Sequence, residues 1–259
     1  MSFFIVALTA LLASLLTFFS GFGLGTILLP VFALFFSLPV AIALTAIVHL
    51  LNNLFKLVLV GKHIDRKLFI RFGIPSMIAA FAGAFVLKYL ARPVVLHTYF
   101  INGKEFNITL INVILALVML FFALYELIPF FKKLSFEKDK IIWGGLLSGF
   151  FGGFSGHQGA LRSAFLIKYN LAKESFIATG VAIACVVDVV RLLIYGISIR
   201  AVNITDNALL LSLAVLSAFI GAYFGSKLLK KTTLAFVQGF VSVFLILIAV
   251  LMGAGILSS

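Results

Sequence analysis

Apolar positions in this chain run uninterrupted for long stretches, and polar positions gather in short segments between them. Two of the apolar runs, 69–89 and 207–225, are long enough to cross a bilayer as helices, which needs about 18 to 20 residues. The longest polar stretch is only 132–140. The pattern therefore predicts an all-α polytopic membrane protein, one integral membrane domain overall, with no room for a soluble domain.

Two similar glycine-rich segments interrupt apolar runs 135 positions apart. The first, 19–25, reads FSGFGLG, and the second, 154–160, reads FSGHQGA. At the same offset Asn53 corresponds to Asp188 and Lys56 to Arg191. We therefore predict two repeats. A glycine-rich break at corresponding positions of two halves is typical of the binding site of a secondary transporter.

Each repeat is predicted to contain a helical hairpin and three transmembrane helices. The N-terminal repeat, 1–131, has its hairpin at 3–36 and its helices at 39–60, 68–90 and 108–131; the C-terminal repeat, 141–257, has its hairpin at 141–169 and its helices at 174–195, 207–229 and 234–256. The second legs of the hairpins would be roughly 20 and 15 Å long, too short for a hydrocarbon core of about 30 Å. Each hairpin is therefore predicted to be re-entrant or broken.

The basic residues indicate how the chain is oriented. With three crossings per repeat, thirteen loop lysines and arginines fall on one side of the membrane and four on the other. An excess of this size marks the cytoplasmic side. Fusing the second leg of each hairpin with the next helix would give four crossings per repeat and nearly balanced charges. We therefore predict inverted repeats in the cell membrane, with both termini outside the cytoplasm.

Composition excludes several other kinds of protein. The formal net charge is +12, but the basic residues lie in short clusters between apolar runs, so no nucleic-acid surface is predicted. The single cysteine, Cys185, lies within an apolar run and excludes disulfides and thiolate metal sites. The sequence predicts no metal site, no cofactor and no catalytic residues.

The hairpin tips are the predicted binding site. A break within a membrane helix frees backbone N–H groups, and the start of the second leg adds the positive end of a helix dipole, which together attract an anion. The alternative is that the glycines only allow close helix packing. The predicted substrate-binding residues are Gly21, Gly23, Gly25, Thr26, Asn52, Asn53, Ser155, Gly156, His157, Gln158, Gly159 and Arg162.

Charged residues inside the membrane are the other candidates. Arg162 lies early in the second leg of the second hairpin, where the first repeat has Ile27, and its guanidinium suits a sulfonate or carboxylate. Its alternative role is an ion pair with Asp188 or a reach to the interface. The residues predicted for ion coupling or gating are Asp188, Arg191, His49 and Lys56. The alternatives are interfacial positions for Lys56 and Arg191 and a structural hydrogen bond for His49.

Over nearly its whole length the chain resembles the sulfite exporter TauE/SafE family of membrane transporters. The resemblance rests on size, the internal repeat and a glycine-rich motif after the first helix of each half, commonly followed by a proline. The first repeat keeps this form from Gly21 to Pro30, whereas the second has His157 and Gln158 within the motif and Phe165 at the proline position. The resemblance implies transport of sulfur-containing anions such as sulfite, sulfonates or sulfoacetate.

We therefore predict a secondary transporter of small sulfur-containing anions, working by alternating access around a site between the two hairpin tips, and not an enzyme. No ATP-binding loop is present, so a gradient of the substrate or of a coupling ion, proton or sodium, must drive it. Its other predicted partner is the bilayer, and oligomeric state is left open. The alternatives are an anion channel and an intramembrane serine protease using the Gly-x-Ser-Gly pattern at 153–156, which lacks a later histidine to act as base.

Overall fold

The structure is a computed structural model that describes residues 2–18, 24–36, 38–92, 94–128, 135–199, 207–228 and 234–257. The tip of the first hairpin, including Gly21 and Gly23, lies outside these residues. The first half contains α1 (Ser2–Thr17), α2 (Leu24–Ala33), α3 (Leu38–Val60), α4 (Arg66–Leu90) and α5 (Leu110–Leu127). The second half contains α6 (Ile141–Ser155), α7 (Gly159–Leu166), α8 (Lys173–Ile199), α9 (Ala208–Leu228) and α10 (Leu234–Gly253).

Within the described residues, five helices are long and apolar enough to cross a membrane, namely α3, α4, α5, α8 and α9. α10 is 20 residues long and consists mainly of apolar residues. Large apolar side chains such as Val58, Phe85 and Leu193 point outward on these helices, where lipid would cover them. The all-α polytopic membrane class predicted from the hydrophobic pattern is therefore confirmed.

One connection differs from its prediction. The segment before α5 was expected to be a loop that passes into a helix at 108, but it forms an antiparallel pair of strands, β1 (Val95–Ile101) and β2 (Lys104–Thr109). Asn102 and Gly103 both have positive φ, as a two-residue hairpin turn requires. Thr109 ends β2 and caps α5, because its Oγ1 accepts a hydrogen bond from Asn112 N at 3.4 Å. The helix therefore begins at Leu110, two residues later than predicted.

Glycines bring helices of the two halves into backbone contact. Gly149 and Gly153 of α6 lie against the carbonyl oxygens of Ser76 and Ala80 of α4, so closely that an added Cβ would overlap those oxygens. Gly221 of α9 lies in the same way against the Leu11 carbonyl of α1. The first leg of each hairpin therefore packs against a long helix of the other half, and small residues make this close approach possible.

The centre of the molecule is the crossing of α3 and α8, of which α8 is the most enclosed of the five long helices. Asn53, near the middle of α3, contacts Asp188 of α8, whereas Asp65, beyond the end of α3, bonds Thr179 near the start of α8. The two helices therefore run antiparallel. The polar positions on their facing surfaces form the site described next.

Candidate functional site

The second hairpin turns sharply at Gly156. α6 ends at Ser155, and Gly156 takes a positive φ of 83°, a conformation that favours glycine because it has no Cβ. Its N–H donates to the Gly152 carbonyl at 3.0 Å and so closes the end of the helix. A Cβ at Gly156 would lie 2.8 Å from Nη1 of Arg191. The tip of this hairpin therefore lies in contact with Arg191 of α8.

His157 is held by its neighbours at this tip. Its Nδ1 lies 3.2 Å from the Ser155 carbonyl oxygen and 3.1 Å from Ser155 Oγ. Because a carbonyl can only accept, Nδ1 carries the proton and donates. The ring stacks on Phe122 of α5 with centroids 5.4 Å apart. Its other nitrogen, Nε2, is buried and bonds no group within the described part of the chain.

Gln158 and the start of α7 complete the tip. The Gln158 carbonyl accepts from Ser148 Oγ at 2.8 Å and from Arg162 N at 3.1 Å, which is the first hydrogen bond of α7. The N–H groups of residues 159–161 therefore have no carbonyl one turn earlier within the helix. No side chain caps α7 at Gln158. The result is a helix start at Gly159 whose first backbone donors have no partner within the helix.

Arg162 is buried, with 2% of its surface exposed. Its Nη1 donates to Gln158 Oε1 at 3.4 Å, and its Nε would lie 3.2 Å from a Cβ added at Gly180 of α8. Gly180 therefore gives the guanidinium its space, a role that sequence reasoning missed. The sequence did contain a signal for this role. At the offset of 135, Ile27 and Thr45 of the first half correspond to Arg162 and Gly180, so a longer side chain at 162 accompanies the loss of a side chain at 180.

A buried cluster around Asp188 joins the two halves. His49 Nδ1 donates to Asp188 Oδ2 at 2.6 Å, and Asn53 Nδ2 donates to the same oxygen at 3.3 Å. Arg191 Nη1 lies 3.5 Å from Asp188 Oδ1. Asn53 and Asp188 are 135 positions apart, the offset of the two glycine-rich segments, and they meet at the crossing of α3 and α8. Desolvated charges of this kind are stable only when paired and hydrogen-bonded.

Three other predicted residues, Gly25, Thr26 and Asn52, lie on α2 and α3. Gly25 of α2 lies against His49, since its Cβ would be 3.4 Å from the ring carbon Cδ2, and Thr26 is buried on the same helix. Asn52 turns away from Asp188, and its Oδ1 accepts from Ser14 Oγ of α1 at 3.0 Å. Ser14 was not predicted. The Asn52 Nδ2 group is buried and bonds nothing in the described part of the chain.

Lys56 and Arg191 are enclosed by protein, with only 3% and 2% of their surfaces exposed. Lys56 Nζ lies 5.5 Å from the centre of the Phe18 ring. The Arg191 guanidinium lies 5.9 Å from the ring of Tyr195, whose hydroxyl donates to the Gly153 carbonyl of α6 at 2.6 Å. Lys56 therefore contacts the first hairpin at Phe18, and Arg191 is linked through Tyr195 to the second hairpin.

Positive charge exceeds negative charge in the interior. Among the described residues, the buried lysine and arginine side chains are Lys56, Arg162 and Arg191, whereas the buried carboxylates are Asp188 and Glu126. Glu126 lies one residue from the end of α5. In the same part of the chain, no group of three or more histidine, cysteine, aspartate or glutamate residues could hold a metal ion. The chemistry available here is recognition of an anion by guanidinium, ammonium, amide and backbone donors.

The family model described as "Sulfite exporter TauE/SafE" matches residues 6–252, nearly the whole chain. No curated protein and no solved structure matches the chain.

Proposed function

Because this chain belongs to the sulfite exporter TauE/SafE family, we propose that it is a secondary transporter of small sulfur-containing anions such as sulfite, sulfonates or sulfoacetate. Membership places it among multi-pass membrane transporters of anions. The finer proposal concerns the substrate, the site and the mechanism. It rests on one observation, the surplus of buried positive charge among the described residues.

A charged side chain at the centre of a membrane helix costs about 2.5 to 3.5 kcal/mol. This interior holds three such cations and two carboxylates in its described part, so a bound anion would offset charge that the protein itself does not. The planar guanidinium of Arg162 matches the oxygens of a sulfite or sulfonate group in two-point hydrogen bonding. Gln158 Nε2 and the N–H groups at the start of α7 supply further donors on the same side.

Alternating access is supported by how the halves pack. The first leg of each hairpin lies against a long helix of the opposite half, and α3 and α8, the corresponding helices, run antiparallel. Antiparallel packing of corresponding helices is expected for inverted repeats, here 1–131 and 141–257, and not for repeats of equal orientation. The loop charges favour a cell-membrane protein with both termini outside the cytoplasm. One repeat would move against the other around the site between the tips.

The His49–Asp188 pair, with Arg191, is our candidate for ion coupling or gating. The short hydrogen bond joins the two halves at their crossing, so uptake of a proton by either group would change the contact between the repeats. A proton is therefore the coupling ion that these residues favour over sodium.

One observation favours a second class of protein, an intramembrane serine protease. Ser155 Oγ lies 3.1 Å from His157 Nδ1, within reach for a serine nucleophile and its base. However, His157 Nδ1 donates to the Ser155 carbonyl, Ser155 Oγ donates to the Phe151 carbonyl at 3.2 Å, and Asp188 is bonded to His49 instead. These bonds support a structural role for Ser155. We expect Ser155→Ala protein to keep at least half of wild-type transport, and loss of transport together with loss of peptide hydrolysis would favour the protease.

The test of the proposed site is a binding screen of the purified protein against sulfite, sulfonates, thiosulfate, sulfate and carboxylates. We expect sulfur oxyanions to bind most tightly and Arg162→Ala to weaken their binding by about a hundredfold, the loss of a charged hydrogen-bonding pair of about 3 kcal/mol. Arg92→Ala is the matched control, because Arg92 is exposed. Unchanged binding by Arg162→Ala protein would remove Arg162 from the site, and a preference for carboxylates would change the substrate class.

A further inference from the structure

Lys56 has an environment that helix packing alone does not explain. It lies on α3 four residues before the helix ends, yet its side chain is buried inside the protein. The ammonium group carries three donors, and its Nζ lies 5.5 Å from the centre of the Phe18 ring. A desolvated cation in this position needs an acceptor.

The antiparallel crossing shows what lies opposite Lys56. Asn53 contacts Asp188, and Leu57 packs against the apolar cluster that includes Cys185 of α8. Lys56 lies between these two positions of α3, so it is level with the turn of α8 that follows Gly180. Arg162 reaches that same part of α8 from α7, with its Nε beside Gly180. The two cations therefore lie along the same stretch of α8, one approaching from α3 and the other from α7.

One carboxylate, Asp188, lies among these cations. Its two oxygens face His49 at 2.6 Å and Arg191 at 3.5 Å, so this carboxylate balances the cation on its own helix. Lys56 and Arg162 bring two further positive charges into the same low-dielectric region, where like charges repel more strongly than in water. A singly charged anion would offset one of them, and a doubly charged anion would offset both.

We propose that Lys56 and Arg162 together form a binding site for a doubly charged oxyanion, with Lys56 contributed by the first half and Arg162 by the second. The proposal rests on the transport function above and makes it more specific: Lys56 contacts the substrate instead of acting only in gating. Because the two contacts come from different halves, the anion itself would hold the halves together at the site.

The test compares two sulfonates of similar size and different charge. Sulfoacetate carries two negative charges at neutral pH and 2-hydroxyethanesulfonate carries one. We expect wild-type protein to bind sulfoacetate at least about tenfold more tightly, which corresponds to about 1.4 kcal/mol. Equal affinities of the wild-type protein for the two sulfonates would overturn the proposal, and this comparison does not depend on the folding of any variant.

Variants then assign the preference to Lys56. We expect Lys56→Gln to weaken sulfoacetate binding by about tenfold or more while changing 2-hydroxyethanesulfonate binding less than about threefold. Lys56→Arg protein should retain the preference for sulfoacetate over 2-hydroxyethanesulfonate. Lys62→Gln is the matched control, because Lys62 is an exposed lysine just beyond α3. Weakening of both ligands to the same extent would indicate a structural role and contradict the proposal.

The result also separates the two proposals. If wild-type protein binds sulfur oxyanions but Lys56→Gln leaves both affinities unchanged, the anion site stands and the assignment of Lys56 is wrong. If wild-type protein binds neither sulfonate nor sulfite, the proposed function itself fails, and the inference fails with it.

Discussion

Gly180→Ala is the substitution for which the structure gives the sharpest expectation. The added Cβ would lie 3.2 Å from Arg162 Nε, 3.7 Å from Cζ and 3.8 Å from Nη2. The first distance is shorter than an ordinary carbon–nitrogen contact, so the guanidinium must move by a few tenths of an ångström. It has little room to do so, because the side chain is buried. The substitution therefore displaces a charged donor without removing it.

The magnitude follows from the hydrogen bonds that this displacement weakens. A hydrogen bond to a charged group contributes about 1.5 to 3 kcal/mol, and partial loss of its alignment should cost about 1 kcal/mol, or about a fivefold rise in KM. Helix propensity acts in the opposite direction on stability, because alanine is favoured over glycine inside a helix by about 0.5 to 1 kcal/mol. We therefore expect weaker transport affinity with unchanged or higher thermal stability.

The assay is concentration-dependent uptake into proteoliposomes, with thermal unfolding of the same preparation in detergent. Gly73→Ala on α4 is the matched control, because its added Cβ would make contacts no shorter than 3.5 Å. Wild-type KM in the Gly180→Ala protein would refute the placement of the Arg162 guanidinium against α8. A KM that rises equally in both variants would show a general effect of added methyl groups.

Two further predictions concern the packing and the central cluster. Gly149→Ala should lower the free energy of unfolding by about 1 to 3 kcal/mol, because its Cβ would overlap the Ser76 carbonyl. Thermal unfolding measures this loss, with Gly239→Ala as the control, because a Cβ at Gly239 would have nothing within 4 Å. Equal stabilities of the two variants would contradict the close contact of α4 and α6. Asp188→Asn should destabilise the protein by about 3 to 5 kcal/mol because it leaves the Arg191 cation buried without its carboxylate, and a melting temperature equal to that of wild type would contradict the buried pair.

The sequence predicted the structure best where a pattern of residues has a single structural explanation. Long apolar runs allow only membrane helices, so the fold class followed from the hydrophobic pattern. The internal offset also placed Asn53 and Asp188 at corresponding positions, and the structure brings these two side chains into contact. The polar matches at this offset therefore pointed to the crossing of α3 and α8.

Side-chain direction and contacts between distant segments were beyond a single sequence. Asn52 and Asn53 were predicted for the same site, but adjacent residues on a helix point about 100° apart, and Asn52 contacts Ser14 of α1. Gly180 looked like one more small residue in an apolar helix, because its role depends on Arg162 approaching from α7. The apolar runs do not predict the strands at 95–109, because these strands lie between two membrane helices, although Asn102-Gly103 is a strong hairpin signal.

Counterflow in proteoliposomes tests the central claim most directly. Vesicles containing the full chain are loaded with unlabelled sulfite and diluted into a trace of radiolabelled sulfite. The account predicts transient, saturable accumulation of label that Arg162→Ala reduces by at least about tenfold and that Arg92→Ala leaves unchanged. Label that equilibrates without transient accumulation, with ionic currents that grow linearly with sulfite concentration, would indicate a channel and contradict a carrier with an anion site between the hairpin tips.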